Sequence, residues 1–443
     1  MFEESEQPTK WSIIASGEGA DRIALQYHTG FHNMAIEDRV LLLNTAAADL
    51  HPEKIFDYLI KKDVKFMEIS EKIKRERICI FGSSPGAGNV WKVGEMQARE
   101  DFDTIRRYVS NLKIIEGDVI LTINTLGGGT GNGSTPYLIN ELKYGKSLIA
   151  GHKNKFFSVG VLPFDVEPPQ RHFNAICGMT RLLKYPTDGK DWKQNTDLLI
   201  LVNNSQIENK IASDSYSPDK ILSDEEKYYL VNKSIIDAID IMIAPGGKTS
   251  KTTVDVADYH QIPSNLGVYH FTPCIATGLD PEIIDVETAI DFAVKNPMVP
   301  LDIKTATMAY FIMRVPKKYI GKRFSQEELE RITKDWAVNN MCGSTGGIAR
   351  YASLTYTTEQ ENFDILVLLG GFSLKEVIKT SLHKYEIFSK GLEDKDIAGE
   401  NALTTEDALT IEEKIKNYIK HTGEVIKIVS SGEDEGLLKK WGF

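Results

Sequence analysis

The stretch GGGTGNG at residues 127–133 contains five glycines in seven residues. An apolar run at residues 118–123 precedes it and has the composition of a buried strand. Ser134, Thr135 and Pro136 follow it and suit a capped helix start, with proline in the first turn. Glycine lets the backbone approach a polyanion closely, and the helix N-terminus adds partial positive charge. The stretch therefore predicts a phosphate-binding loop.

Other phosphate motifs fit this stretch poorly. No Gly-Lys-Ser/Thr closes the loop, so it is not a Walker A motif, and three strand-like runs precede it, which excludes the first turn of a dinucleotide fold. A dinucleotide-dependent enzyme is supported only by Gly17 and Gly19, because Arg22 stands where the fingerprint has its third glycine. A flexible surface loop is the remaining alternative, and the flanking strand and helix argue against it.

Composition narrows the class of protein. The 443 residues are enough for two domains with full cores, and 26% charged residues are usual for a globular protein. The net charge of −11 argues against direct binding to nucleic acid, and no apolar run is long enough to predict a membrane span. The acidic N-terminus is unlike a secretory signal. The four cysteines form no CxxC pair, so we expect no zinc site and a cytoplasmic location: Cys79, Cys177, Cys274 and Cys342.

The order of apolar and polar runs predicts the fold class. Strand-like runs alternate with helical stretches in the first half, which is typical of a parallel, doubly wound α/β domain with ligands at the carboxyl ends of its strands. A long helix follows, and then an α+β domain with a mixed sheet and C-terminal helices. The predicted boundaries are 1–223 for the first domain, 224–245 for the central helix, 246–373 for the second domain, and 374–443 for the C-terminal helices and tail.

The glycine loop resembles the GGGTG[ST]G signature shared by tubulin and FtsZ, with Asn132 at the variable position. Further loops follow in the family's order, although Ala46 replaces an acidic residue. The resemblance implies a GTP-binding first domain and a GTPase-activating second domain. The nucleotide contacts that it implies in these loops are Gly17, Gly19, Ala20, Asp21, Asn44, Gly86, Ala87, Gly88, Asn89, Gly127, Gly128, Gly129, Thr130, Gly131, Asn132 and Gly133.

Two further segments are similar to the family's ribose and base contacts. The sequence PFDVEPPQR at residues 163–171 resembles PFxFEGxxR, which implies Glu167 on the ribose hydroxyls and Arg171 near the nucleotide. A surface ion pair is the alternative for these two residues. Tyr228 and Asn232 share a helix face, and the resemblance implies that they stack on guanine and bond its edge, as an amide can. A core position is the alternative for Tyr228.

The chemistry that the resemblance implies involves a neighbouring subunit. The sequence TVDVADY at residues 253–259 resembles NVDFADV, a loop that tubulin-like proteins insert into a neighbour's nucleotide site, with Thr253 in place of Asn. Asp255 and Asp258 are then the catalytic residues that orient the attacking water, with Mg²⁺ as the ion on the phosphates. The loop follows a helix that crosses the domain, so we expect a head-to-tail contact that builds filaments. Helix capping is the alternative for the two carboxylates.

The resemblance therefore implies an assembly-stimulated GTPase that binds GTP and GDP and forms longitudinal homopolymers. The C-terminal helices resemble those of tubulin and TubZ more than FtsZ, which keeps DNA segregation open beside cell division or shape. The terminal LLKKWGF at residues 437–443 is a candidate site for a DNA-binding adaptor or a membrane anchor, or a frayed end. A GTP-binding regulator of the same fold that does not polymerise is the second hypothesis.

Overall fold

A computed structural model of the chain describes residues 9–30, 36, 38–51, 75–145, 154–187, 191–214, 223–243, 256–357, 360–392, 403 and 405–431. The chain divides into two units by its internal contacts. The first comprises Met1–Ile236 and Thr380–Ile411, and the second comprises Asp237–Lys379 and Glu412–Phe443. The C-terminal segment is thus shared between them.

The first unit contains a parallel sheet, as the alternating pattern predicted. Its strands are β1 Trp11–Ser16, β2 Val40–Asn44, β3 Ile78–Ile80, β4 Val119–Thr125, β5 Lys155–Leu162 and β8 Leu198–Asn203, and the short strands β6 Lys184–Pro186 and β7 Trp192–Gln194 form a separate antiparallel pair. The order in the sheet is β3-β2-β1-β4-β5-β8, and every pair is parallel. All residues of β1, β2 and β8 are buried, which explains their continuous apolar runs.

Helices connect these strands and leave the carboxyl ends of the strands at one edge. They are α1 Glu18–Gly30, α2 Trp91–Glu100, α3 Phe102–Asn111, α4 Thr130–Tyr144, α5 Pro169–Leu183 and α6 Asn204–Asp214. Ser16, at the end of β1, pairs with Leu43 and with Asn124, while Leu162 pairs with Asn203. Because these strands end in register, the loops that follow them lie side by side.

A 20-residue helix, α7, spans Asp224–Ile243, close to the predicted central helix. Ser223 and Glu226 form a reciprocal capping box at its start: the Glu226 N–H donates to Ser223 Oγ at 3.3 Å, and the Ser223 N–H donates to Glu226 Oε2 at 2.9 Å. The boundary between the two units falls within this helix, after Ile236.

The second unit contains the mixed sheet that the sequence predicted. Its elements are α8 Val256–Leu266, β9 His270–Leu279, α9 Val286–Val294, β10 Met308–Pro316, α10 Gln326–Asn340, β11 Ala349–Thr357 and β12 Phe363–Gly370. The strands lie in the order β9-β12-β10-β11, with two antiparallel pairs and a parallel pair at β10 and β11. Ser325 caps the start of α10, because its Oγ accepts from the Glu328 N–H at 3.1 Å.

Two C-terminal helices follow as predicted, α11 at Lys379–Gly391 and α12 at Thr405–Ser431. Within the first unit, the Tyr385 hydroxyl donates to the carbonyl of Ala408 at 2.6 Å and so joins α11 to the start of α12. No helix in the described parts of the chain is both long enough and apolar enough to cross a bilayer.

His270 ties α12 to the core of the second unit. Its side chain is fully buried, with Nδ1 2.8 Å from the Tyr418 hydroxyl and Nε2 2.8 Å from the carbonyl oxygen of Phe372. The carbonyl can only accept, so Nε2 carries the proton and Nδ1 accepts from Tyr418. Burial lowers the pKa of His270 from 6.5 to about 4, and the ring is therefore neutral in the folded protein at neutral pH.

We expect this histidine to make the protein sensitive to acid. Below pH 6.5 His270 binds a proton in the unfolded chain, whereas in the folded chain it remains neutral down to about pH 4. The stability of the folded protein therefore falls as the pH drops from 6.5 to 4. The expected loss is about 2 kcal/mol by pH 5 and about 3 kcal/mol below pH 4. Urea unfolding at pH 7 and pH 5 measures it, and His270→Gln should remove this part of the dependence. An equal acid loss in the variant would contradict the assignment.

Candidate functional site

A cavity of about 400 Å³ lies in the first unit, beside the carboxyl ends of its strands. Loops after β1, β2, β4, β5 and β8 contribute to its walls, together with the loop before α2 and the helix α7. Its lining comprises Gly17, Glu18, Gly19, Arg22, Ile23, Thr45, Ala46, Asp49, Gly86, Ala87, Gly88, Asn89, Thr125, Gly127, Gly128, Gly129, Thr130, Gly131, Val161, Pro163, Glu167, Arg171, Asn204, Tyr228 and Asn232.

The glycine loop leads directly into helix α4. The helix begins at Thr130, so the predicted start at Ser134, Thr135 and Pro136 is wrong: the glycines themselves take helical geometry. Gly129 is the N-cap, and among the described residues no side chain caps it. The N–H groups of a first helical turn have no partner within the helix and attract anions. The start of α4 therefore offers an anion site to the cavity.

Pro136 lies inside α4, where a proline costs the helix one hydrogen bond. The carbonyl that loses its partner is that of Asn132, four residues earlier, and Arg181 Nη1 donates to it at 2.8 Å. Arg181 is fully buried, forms an ion pair with Glu95 and lies 4.2 Å from the centre of the Trp91 ring. Burial alone raises the pKa of Glu95, but the neighbouring guanidinium groups outweigh it and lower that pKa.

The glycines in the first turn of α4 are required for packing within the protein as well as for access of a ligand. A Cβ atom on Gly131 would lie 2.5 Å from the carbonyl oxygen of Ser16, and one on Gly133 would lie 2.2 Å from backbone atoms of Glu95 and Trp91. Both distances are shorter than any tolerated contact. The first turn of α4 thus lies in backbone contact with the end of β1 and with α2.

Asn132 does not face the cavity. Its side chain is fully buried, where it accepts from Asn124 at 3.1 Å and donates to the carbonyls of Leu126 and of Asn174, the latter at 3.0 Å. Asn174 in turn donates to the carbonyls of Asn89 at 2.8 Å and Gly127 at 3.1 Å. This amide network joins the loop before α2 to the glycine loop from behind.

Asp21 and Asn44 lie under the cavity wall. Asn44 Nδ2 donates to Asp21 Oδ2 at 2.9 Å, and burial raises the pKa of Asp21 well above its ordinary value. Next to them, the hydroxyls of Thr45 and Thr130 are 2.7 Å apart, and both residues line the cavity. These contacts hold the loop after β2 against the start of α4.

Glu167 and Arg171 both line the cavity, and they also form the ion pair that was the alternative for them, with Nε 3.5 Å from Oε2. Glu167 Oε1 accepts from the Phe164 N–H at 2.9 Å, which aims the carboxylate. The two functions are compatible, because an ion pair at the wall of a cavity can also bind a ligand.

Tyr228 is not a core residue, since 43% of it is exposed at the cavity wall. Its ring meets Phe164 edge-to-face at 5.4 Å. Partial burial and the Glu167 carboxylate raise the pKa of Tyr228, which keeps the hydroxyl protonated. Asn232, one turn later, is buried except where it lines the same wall. A flat ring and an amide therefore lie on one side of the cavity.

The structure brings most of the sequence-predicted contacts into one cavity and leaves five outside its lining: Ala20, Asp21, Asn44, Asn132 and Gly133. Of the catalytic pair, Asp255 lies outside the described residues. Asp258 is half-buried in α8 of the second unit, and its carbonyl accepts from the Tyr310 hydroxyl at 2.8 Å.

Sequence reasoning missed several lining residues, among them Glu18, Arg22, Thr45, Asp49 and Asn204. Glu18 and Arg22 form an ion pair one helical turn apart, and this spacing was a usable signal. Asp49 carried no signal, because only folding brings its short turn toward the glycine loop.

Comparisons with known proteins agree with this fold. No protein-family model matches the chain. It is 26% identical over 308 residues to the cell division protein FtsZ 1 of Methanocaldococcus jannaschii, covering 69% of this chain and 73% of that relative.

Two solved structures share the fold. GDP-bound CetZ1 from Haloferax volcanii aligns with a TM-score of 0.63 at 18% identity, over 86% of this chain and 99% of that one. A GTPγS-bound protofilament of CetZ2 from the same organism aligns with a TM-score of 0.61 at 19% identity, with the same coverage. The fold and site define a tubulin-like α/β protein. The sequence relatives and structural neighbours of the chain are FtsZ and CetZ proteins, which supports a divergent member of the tubulin/FtsZ superfamily.

Packing at α4 leads to a matched pair of substitutions. Alanine favours helices over glycine by up to about 1 kcal/mol, but Gly133→Ala places a methyl group 2.2 Å from the backbone of α2. We expect a net loss of stability of about 2 kcal/mol or more. Gly128→Ala meets only an ordinary contact at 3.7 Å and should stay within about 1 kcal/mol of wild type. Thermal or urea unfolding compares them, and a stable Gly133→Ala protein would contradict this packing.

Proposed function

We propose that the cavity binds GTP, and GDP after hydrolysis. The observation that carries the proposal is a single cavity that joins an uncapped helix start to an aromatic and amide wall. The phosphates would lie at the first turn of α4 and the loop at residues 86–89. Glu167 would accept from the ribose hydroxyls, with Arg171 near the nucleotide. Tyr228 would stack on guanine, and Asn232 would bond its edge.

The residues present also fit a magnesium ion that is held mainly by the phosphates. Within the described residues no group of three or more His, Cys, Asp or Glu side chains could hold a metal by itself. Glu18 and Asp49 nevertheless line the cavity, and Mg²⁺ in phosphate sites needs only one or two carboxylates. The ion would supply neutralisation of the charge on the phosphates.

We propose that hydrolysis requires a second subunit. Asp255 and Asp258 of one subunit would orient the attacking water at the cavity of the next, in a head-to-tail filament. Support comes from the relatives, one of which was solved as a GTPγS-bound protofilament. The competing proposal is a regulator of the same fold that binds GTP and does not polymerise.

The biological role that we propose is that of a cytoskeletal filament in cell division or cell shape. It rests on the relatives, since the FtsZ 1 match is named as a cell division protein. Segregation of plasmid or phage DNA is the second role, and the tail at residues 437–443, which lies outside the described residues, would then bind an adaptor. Sedimentation with candidate adaptor proteins or with lipid vesicles separates these roles.

The base wall gives a direct test of nucleotide binding. Stacking of a base on an aromatic ring contributes about 1–3 kcal/mol, so Tyr228→Ala should weaken GTP binding about 5- to 150-fold. Tyr144 is a matched control, because it is 45% exposed and does not line the cavity. Calorimetry with GTP measures both variants. Unchanged affinity in Tyr228→Ala would exclude this wall as the base site.

Hydrolysis in assembled protein gives the second test. The GTPase rate per subunit should rise with protein concentration, together with sedimentable polymer. Asp255→Ala and Asp258→Ala should each lower that rate at least about 100-fold and leave more stable polymer, since removing a catalytic group costs this order. Asp335→Ala in α10 is the charge-matched control.

A rate per subunit that stays constant with concentration, without polymer by electron microscopy, would favour the regulator. Hydrolysis at the wild-type rate in both carboxylate variants would remove them from the reaction.

A further inference from the structure

Helix α11 is distant in sequence from the residues that line the cavity. It nevertheless contacts the loop at residues 163–168, which contains Glu167. Both belong to the first unit. Lys384 Nζ donates to the carbonyl oxygen of Glu167 at 2.6 Å and to that of Asp165. Lys384 does not line the cavity, so it has no direct contact with a ligand there and acts on the wall through this loop.

The loop depends on such contacts because it has little apolar packing of its own. Val166 at its tip is 91% exposed, and Asp165 is exposed as well. Its backbone is held by polar contacts: the Asp165 N–H donates to Ser205 Oγ at 2.8 Å, and the Glu167 N–H donates to the carbonyl of Phe164 at 3.0 Å. Lys384 provides the partner for two further carbonyls of the turn, those of Asp165 and Glu167.

A second contact from α11 reaches the same loop indirectly, through His172 of α5. His172 Nε2 lies 3.2 Å from the carbonyl oxygen of Phe164, and Nδ1 lies 3.0 Å from Ser381 Oγ. Burial and the Lys384 ammonium lower the pKa of His172, so the ring is neutral, with Nε2 donating to Phe164 and Nδ1 accepting from Ser381. Lys384 and Ser381 thus act on the loop one turn apart on α11.

Apolar packing fixes α11 in place. Phe173 of α5 is fully buried, and its ring stacks on Tyr385 at 4.8 Å with an interplanar angle of 10°. Phe388 packs on the same ring at 4.8 Å, and the Tyr385 hydroxyl bonds to Ala408. The ammonium of Lys384 is therefore presented to the loop by a rigid support.

We propose that Lys384 is a positioning residue for nucleotide binding, which fixes the loop so that Glu167 meets the ribose hydroxyls. This inference rests on the proposed function. Glu167 Oε1 is bonded to the N–H of Phe164 within this same turn, so a shift of the turn moves the carboxylate.

The test combines a protein change with a ligand change. Lys384→Met removes the charge and all donors while keeping the length of the side chain. It should lower the affinity for GTP about tenfold, as expected when a charged donor is lost, and should change that for 2′,3′-dideoxy-GTP less than about twofold. Lys384→Arg, which keeps donors for both carbonyls, should restore most of the ribose preference. Lys390→Met, at an exposed position of the same helix, should match wild type.

Equal weakening of both nucleotides by Lys384→Met would overturn the proposal, and so would unchanged affinity for GTP. Hydrogen exchange of the nucleotide-free protein is the second measurement. Amides at residues 164–167 should exchange about tenfold faster in Lys384→Met than in Lys390→Met, while strands β4 and β5 stay protected.

Unchanged exchange at residues 164–167 would show that Lys384 does not hold the loop. A wild-type protein that binds no guanine nucleotide contradicts the proposed function instead, and hydrogen exchange then decides the structural part of the inference alone.

Discussion

The structure of the site depends on direct backbone contact between the first turn of α4, the end of β1 and helix α2. This contact exists only where α4 has no side chain, at Gly131 and Gly133. It brings the uncapped start of α4 to the edge where the parallel strands end, and Thr130 and Gly131 line the cavity there. The proline in the next turn would weaken this helix, and buried Arg181 compensates by bonding the carbonyl of Asn132.

Support for the cavity comes from residues distant in sequence. Asn174 holds two loops from behind, and α11 holds a third through Lys384 and Ser381. Because of these contacts the loops are already ordered in the ligand-free protein. Less conformational entropy is then lost on binding, which is the advantage of a preorganised site. Residues Thr380–Ile411 are therefore part of the support for the cavity of the first unit, although residues Asp237–Lys379 of the second unit precede them in the chain.

Local patterns were sufficient for the fold. Apolar runs and glycine loops predicted the parallel sheet, the mixed sheet and the long helix, which the structure places at Asp224–Ile243. The predicted start of α4 was wrong because Ser134, Thr135 and Pro136 are typical of a helix start, whereas glycines are not expected inside a first turn. Asn132 was assigned to the ligand because a small polar residue in a glycine loop has the same signature whether it faces a phosphate or a buried amide.

The sequence by itself determined the class of fold and the loops that meet at one edge of the sheet. The spacing of apolar residues and the composition of the loops follow from local backbone and solvation preferences. Only the tertiary structure decided which residues of those loops face the cavity. Gly133 packs against α2, Asn132 turns inward, and Lys384 reaches a loop more than two hundred residues earlier. Such roles depend on which residues from distant parts of the chain lie within a few ångströms of each side chain. A local sequence pattern contains no information about these contacts.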